Sequence, residues 1–276
     1  MIQQGSAYWL KNQDSQNSHF NLLELASTQR AITNYVKILT GREIPVDFVD
    51  PRGDSMTDGE SIEIASRINH KNVDEVVGLA LHEASHCILT DFKIVKKLGN
   101  VILQDHKYKH LFPNRDHVFL FTNFMEDRRI DDFVYNSAPG YKAYYESMYE
   151  SSFFNDTINK GLTGTEYRTE TWESYMFRII NIFNPNSDLD ALYNLRKIYD
   201  IIDLDHINRL KSTRDSIDVA MEITDIVRAS IIVERIINED NFDQSVLEKS
   251  HKKEGEKNDV SKEKIKNAFQ KQENFI

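Results

Sequence analysis

The sequence contains a single cysteine, Cys87, which excludes an intramolecular disulfide. Chains without disulfides are typical of reducing compartments, so we expect a cytoplasmic protein. No run of about 18 apolar residues occurs, and we therefore expect no membrane span. The first residues lack a basic segment followed by an apolar core, so we expect no signal peptide.

Positive charge is also scarce. The chain has 34 Lys and Arg against 44 Asp and Glu, which gives a net charge of −10. Nucleic-acid-binding surfaces are normally basic, so this balance argues against a nucleic-acid partner. It permits a basic peptide substrate without indicating one.

The strongest functional signal is the string His82-Glu83-Ala84-Ser85-His86, inside a segment predicted as helix. Two histidines four residues apart lie about 40° apart around a helix, so both rings can grip one metal ion. Glu83 lies beside them without needing to bind, as the general base of a zinc hydrolase does. The plainer alternative is a helix with two surface histidines. Apolar residues at helical spacing surround the motif: Val73, Val76, Val77, Ala80, Leu81, Ala84, Cys87 and Ile88.

A catalytic zinc usually takes a third protein ligand. The residues after His86 do not continue as His-x-x-Gly-x-x-His, which argues against the metzincin pattern. Glu126 lies in the middle of an apolar predicted helix, residues 117–135, and a buried carboxylate needs a partner. We therefore predict Glu126 as the third ligand.

Residues 81–91 together with residues 123–130 resemble the gluzincin-type metallopeptidase domains associated with von Willebrand A modules. That group includes cobaltochelatase T-subunit-like proteins and predicted peptidases of bacteria and phages. The resemblance spans roughly residues 60–135. A phage-encoded protein would act in the host cytoplasm.

The resemblance implies that His82, His86 and Glu126 bind Zn²⁺ and that Glu83 is the catalytic carboxylate. In that group the third ligand lies in an Asn-x-x-Glu-Asp-x-Arg type motif, which here begins at Asn123. We expect Asn123 to help hold the ligands in place.

Two features depart from the family pattern. Many gluzincins carry an Asp four residues after the ligand Glu, where this chain has Ile130. Asp127 and Asp131 are the available substitutes for holding a histidine N–H, although solvated salt bridges with Arg128 or Arg129 explain them equally well. The Asp-x-Ser-x-Ser string of the von Willebrand module is absent, so that module is missing or belongs to a larger architecture.

A donor to the reaction oxyanion would complete such a site. A helix face packed with aromatic rings explains clustered tyrosines more simply. The candidate donors are Tyr141, Tyr144, Tyr145, Tyr149, His106 and His110.

Two further predictions concern the surroundings of the motif. The predicted strand at Ile62–Ala65 is a candidate edge for aligning an extended substrate, or an ordinary sheet strand. Gly78 lies one turn before His82, where substrate or a neighbouring backbone, or close helix packing, would require a glycine.

The predicted fold class is α+β, mostly α: a zincin-like core with a small N-terminal sheet, an active-site helix carrying the motif, and a C-terminal helical subdomain. We predict the core at residues 1–155, the helical subdomain at 156–247 and a charged tail or linker at 248–276.

The predicted function is zinc-dependent hydrolysis of a peptide or protein substrate, with Glu83 as general base. The alternative is a non-hydrolytic metal-binding adaptor or scaffold that works with a AAA+ ATPase or a von Willebrand A partner. A helical interaction protein without metal is the third hypothesis.

Overall fold

The computed structural model describes residues 22–50, 55–65, 68, 71–244 and 259–275. It is mostly helical with a small three-stranded sheet, which agrees with the predicted class of α+β, mostly α. The strands are β1 (Val46–Phe48), β2 (Met56–Thr57) and β3 (Ile62–Ile64). The α-helices of the described residues are α1 (Leu22–Thr40), α2 (Val73–Leu89), α3 (Phe92–Leu98), α4 (Arg115–Ser137), α5 (Lys142–Ser152), α6 (Asp156–Thr163), α7 (Trp172–Ile180), α8 (Leu195–Ile202), α9 (Thr213–Gln244) and α10 (Asp259–Phe275).

The sheet has the strand order β1-β3-β2, with β1 parallel and β2 antiparallel to β3. Ile62 and Ile64 face the core and are fully buried, while Glu63 between them is exposed, as the alternation of a half-buried strand requires. Because β3 is hydrogen-bonded on both sides, it has no free edge. The prediction that it aligns a substrate as an edge strand is therefore wrong.

Helix α2 packs against α1, α4, α5 and the sheet. Asp74 and Glu75 in its first turn suit the positive end of the helix dipole. Buried residues fall at helical spacing along most of its length, so the motif is carried by a central helix. A Cβ on Gly78 would lie 2.4 Å from the carbonyl oxygen of Tyr144, so close packing against α5 is what requires the glycine.

The largest hydrophobic cluster runs from α4 through α6, α7, α8 and α9 to α10. Phe121, Phe124 and Met125 of α4 belong to it, and α9 packs along α4. This cluster crosses the predicted domain boundary at residue 155, so the helical region shares its core with the region that carries the motif.

The predicted charged tail differs from what the structure shows. Residues 248–258 lie outside the described residues, but Asp259–Phe275 forms α10. Ile265 and Phe269 are 3% exposed within the main cluster, and Gln272 exchanges hydrogen bonds with the buried side chain of Asn181. Burial of a few apolar side chains thus packs this helix against the core, although its many charged residues predicted a solvated tail.

None of the described helices combines the length and the apolar content needed to cross a bilayer.

Candidate metal centre

Helix α2 presents both histidines of the motif on one face. The ring centroids of His82 and His86 lie 4.9 Å apart, with the planes nearly perpendicular. His82 is 1% exposed and Glu83 is 4% exposed, so the site is enclosed by protein. The spacing expected from the sequence therefore holds both rings close enough to share one ion.

Asp127 of α4 completes a group of three residues that could hold a metal ion. Its Oδ1 lies 3.2 Å from Nε2 of His86 and 3.8 Å from Nε2 of His82. One ligand atom from each of the three residues lies within 4.8 Å of the others. Asp127 Oδ2 is buried and has no hydrogen-bond partner in the described part of the chain. Asp127 thus directs Oδ1 at the two imidazole nitrogens and keeps a second buried oxygen, Oδ2, whose hydrogen-bonding capacity a cation could satisfy.

The opposite ring nitrogens of the two histidines are held by acceptors. His82 Nδ1 lies 2.8 Å from Asp131 Oδ1, and because a carboxylate only accepts, the proton resides on Nδ1. His86 Nδ1 lies 2.9 Å from the hydroxyl oxygen of Thr90, which itself donates to Glu126 Oε1 at 2.8 Å. The Thr90 oxygen must then accept from Nδ1. In the neutral form of each ring the lone pair therefore lies on Nε2, the atom that faces Asp127.

Glu126 does not lie where the sequence prediction put it. Its carboxylate is 2% exposed and accepts hydrogen bonds from Arg129, Thr90, Thr213 and Ser216. The group of side chains close enough to share one ion contains Asp127 and not Glu126. The structure brings Asp127 to them, whereas Glu126 supports His86 through Thr90.

Charge and burial shift the pKa values of this group. Burial would lower the pKa of His82, but the carboxylates of Asp131 and Asp127 outweigh it and raise that pKa to about 9. Burial alone would raise the pKa of Asp131, yet the His82 ring and Arg128 bring it below its ordinary value. Burial raises the pKa of Glu83, in spite of the two histidines. Burial therefore favours the protonated form of Glu83.

Two nitrogens and one carboxylate oxygen form a donor set that suits zinc. Three protein donors would leave the fourth position of a tetrahedral zinc ion for water or substrate. Cys87 is not part of the group, since its Sγ lies 3.1 Å from the Thr57 hydroxyl oxygen. Burial raises the pKa of the Cys87 thiol and so disfavours the thiolate that a metal needs. The donor set is therefore the one provided by α2 and α4.

Four of the predicted oxyanion donors are tyrosines, and they pack in two different places. Tyr145 packs against α2, with its hydroxyl oxygen 3.1 Å from that of Ser85, and the Tyr149 hydroxyl donates to Asp131 Oδ2. The rings of Tyr141 and Tyr144 pack against Tyr35 of α1.

The remaining candidates are on the surface. His110 lies 3.3 Å from Asp225 of α9, and His106 is exposed in the preceding turn. Asn123, expected to support the ligands, is exposed on α4. Tyr145 and Tyr149 are thus the candidates that the structure brings beside α2 and Asp131.

Several contributing residues escaped sequence reasoning. Thr90 lies four residues after His86, so helical spacing could have indicated it. Thr213 and Ser216 follow Glu126 by 87 and 90 residues, and nothing local in the sequence connects them to it.

Phe275 of α10 covers one ring of the candidate centre. Its ring stacks on His82 with a centroid distance of 5.1 Å and meets Phe153 edge-on at 5.3 Å. The C-terminal helix therefore forms part of the enclosure around the histidine.

Comparison with known proteins returns no significant match, whether to a protein-family model, to a curated protein or to a solved structure.

Proposed function

We propose that the protein is a zinc-dependent peptidase in which His82, His86 and Asp127 hold the metal. The observation that carries the proposal is the convergence of two Nε2 atoms on a buried carboxylate whose Oδ2 has no described partner. Glu83 adjoins the first ligand and stays outside the ligand group, and a purely structural metal would not need such a carboxylate.

When bound, zinc would supply Lewis acidity for activating water and polarising a peptide carbonyl. Glu83 accepts the proton of the attacking water and returns it to the leaving amine. Asp131 and the Thr90–Glu126 pair hold the two imidazoles with Nδ1 protonated, so neither ring needs to turn during the reaction.

The direct test is Glu83→Gln, measured with dye-quenched casein as a general substrate and with elemental analysis for zinc. We expect the variant to retain zinc and to lose hydrolysis by about 10²- to 10⁴-fold, the usual contribution of a positioned acid–base group. Glu75→Gln, two turns earlier on α2, is the matched control and should retain activity. Full hydrolysis by Glu83→Gln would overturn the mechanism.

One observation favours a second function, a non-hydrolytic metal-binding adaptor or scaffold. All three ligands are largely buried and Phe275 stacks on His82, as in closed sites that hold a structural ion. Zinc binding without casein hydrolysis in the wild type, together with unchanged zinc content in Glu83→Gln, would favour this function over the peptidase.

A further inference from the structure

A pocket of about 490 Å³ lies beside α4 and α5, and neither proposed function uses it. Its size is that of small-molecule sites. Helices α4 and α5 supply the charged residues and three tyrosines of the wall, whereas segments beyond α5 supply the apolar residues. The acids are Asp131, Asp132, Glu146 and Glu150, and the apolar residues are Phe154, Phe183, Leu204 and Ile207.

Arg128 also lines the pocket, but only its carbon stem can touch a ligand. Its Nε, Nη1 and Nη2 have essentially no accessible surface. The guanidinium carbon lies 4.8 Å from the ring centroid of Phe183 and 5.0 Å from that of Tyr149, and Nη2 lies 3.6 Å from Asp131 Oδ2. Aromatic rings and one carboxylate therefore compensate the Arg128 charge inside the wall.

Asp131 is engaged within the protein as well. Its Oδ1 lies 2.8 Å from His82 Nδ1, and its Oδ2 accepts from the Tyr149 hydroxyl. Asp131 and Arg128 thus form an ion pair in the wall. The recognition of a ligand falls to the other three acids.

These three acids carry negative charge that no neighbouring cation neutralises. Asp132 and Glu146 accept hydrogen bonds from neutral groups, the Asn136 amide and the Tyr135 hydroxyl. No lysine or arginine of the described ranges lies within ion-pair distance of Asp132, Glu146 or Glu150. Water screens them, since two are exposed and Asp132 is half-buried, but a cleft lined by one sign of charge still attracts the opposite sign.

A lysine of the chain itself shows which group the wall accepts. Lys142 Nζ lies 4.2 Å from the ring centroid of Tyr135, which lines the pocket. An ammonium group therefore rests on an aromatic ring of the wall without pairing with its acids. One lysine leaves the surplus of negative charge in place.

We propose that this pocket binds a small primary amine with an aromatic or branched apolar body. The ammonium group faces Asp132, Glu146 and Glu150 and donates to their carboxylate oxygens. The apolar body packs against Phe154, Phe183, Leu204 and Ile207. An anion of the same shape is repelled by the same acids.

The experiment uses the full chain and three probes of similar shape: phenethylamine, neutral 2-phenylethanol and anionic phenylacetate. Isothermal titration should give one-site binding of phenethylamine. The alcohol should bind about three- to fivefold more weakly, the value of a charge pair near the surface, and phenylacetate more weakly still. Raising NaCl from about 0.05 to 0.5 M should weaken binding of the amine and leave that of the alcohol unchanged.

Two triple variants separate the pocket acids from the overall charge. Neutralising the pocket acids, as Asp132→Asn, Glu146→Gln and Glu150→Gln together, should make the amine and the alcohol bind equally. The control removes three exposed acids outside the pocket, as Asp200→Asn, Glu222→Gln and Glu263→Gln together. It changes the net charge by the same amount and should retain the preference for the amine.

Leu204→Trp narrows the pocket while keeping its acids, and it should weaken binding of the amine and the alcohol alike. Unchanged binding of phenethylamine in this variant would overturn the proposal, because the amine would then bind to surface acids alone. No binding of phenethylamine to the wild type, or equal binding of the alcohol, would overturn it too.

Discussion

Thr90 is the residue on which the orientation of His86 depends. Its hydroxyl accepts from His86 Nδ1 and donates to Glu126, whose carboxylate is anchored by Arg129 and Ser216. Supporting residues of this kind typically change metal affinity by about 10- to 100-fold when removed. The same chain of contacts gives Glu126 a role that does not require it to bind metal.

Thr90→Val keeps the shape of the side chain and removes the hydroxyl. We expect zinc affinity to fall by about 10- to 100-fold, measured by competition with a chromogenic chelator, because His86 loses the acceptor that fixes its proton on Nδ1. Ser216→Ala is the control, since it removes a donor to Glu126 without touching His86. Equal losses of affinity in the two variants would argue against an orienting role for Thr90.

The residues of the candidate centre differ in how far the sequence alone predicts their positions. The spacing of His82 and His86 predicts their common face, because helix geometry alone fixes it. The choice between Glu126 and Asp127 depends on the rotation of α4 about its axis, which Thr213 and Ser216 of α9 help to set. No pattern around residue 126 contains that information.

At the scale of the elements, Gly78 marks a close approach between α2 and α5. A Cβ there would meet the Tyr144 carbonyl oxygen at 2.4 Å and Met148 Cβ at 2.9 Å. The backbone oxygen cannot turn away as a side chain can. The cost of this clash therefore exceeds the gain of about 1 kcal/mol in helix propensity that alanine would bring.

Gly78→Ala should lower the free energy of unfolding by about 1–3 kcal/mol, the usual cost of overpacking. Denaturant titration followed by circular dichroism measures it. Gly140→Ala, whose Cβ would meet nothing within 4 Å, should change stability little. An unchanged midpoint for Gly78→Ala would contradict the close contact between the two helices.

Helix α10 is the element whose role the sequence concealed. Polar and charged residues dominate its composition, and only the spacing of Ile265, Phe269 and Gln272 marks the buried face. The helix ends in Phe275, whose ring stacks on the His82 ring of the candidate centre.

Phe275→Ala should accelerate the transfer of zinc from the protein to a chelator severalfold, because the ring over His82 is removed. Stopped-flow absorbance of the chelator measures the rate. A loss of about 1–3 kcal/mol in stability is expected as well, since the ring is only partly buried. Asn274→Ala is the neighbouring control. An unchanged transfer rate in Phe275→Ala would show that zinc leaves by another route.

At the scale of the whole molecule, the candidate metal centre takes its residues from helices of two parts of the core. His82 and His86 come from the cluster around α2, whereas α4 supplies Asp127 and also belongs to the larger cluster with α9 and α10. The sequence indicated the helix that carries the motif, the helix at residues 117–135 and the small sheet, because periodicity is a local property. It did not indicate that the predicted subdomain and tail complete the same core, since those contacts join residues far apart in the chain.

The most direct test of the central claim is the shift in Tm on adding zinc to the wild type, Asp127→Asn and Glu126→Gln. A ligand at about 100 times its Kd stabilises the folded state by about 2.7 kcal/mol. We predict a rise in Tm for the wild type and Glu126→Gln, and none for Asp127→Asn. A rise in Asp127→Asn but not in Glu126→Gln would restore Glu126 as the third ligand, and no rise in the wild type would contradict a metal centre altogether.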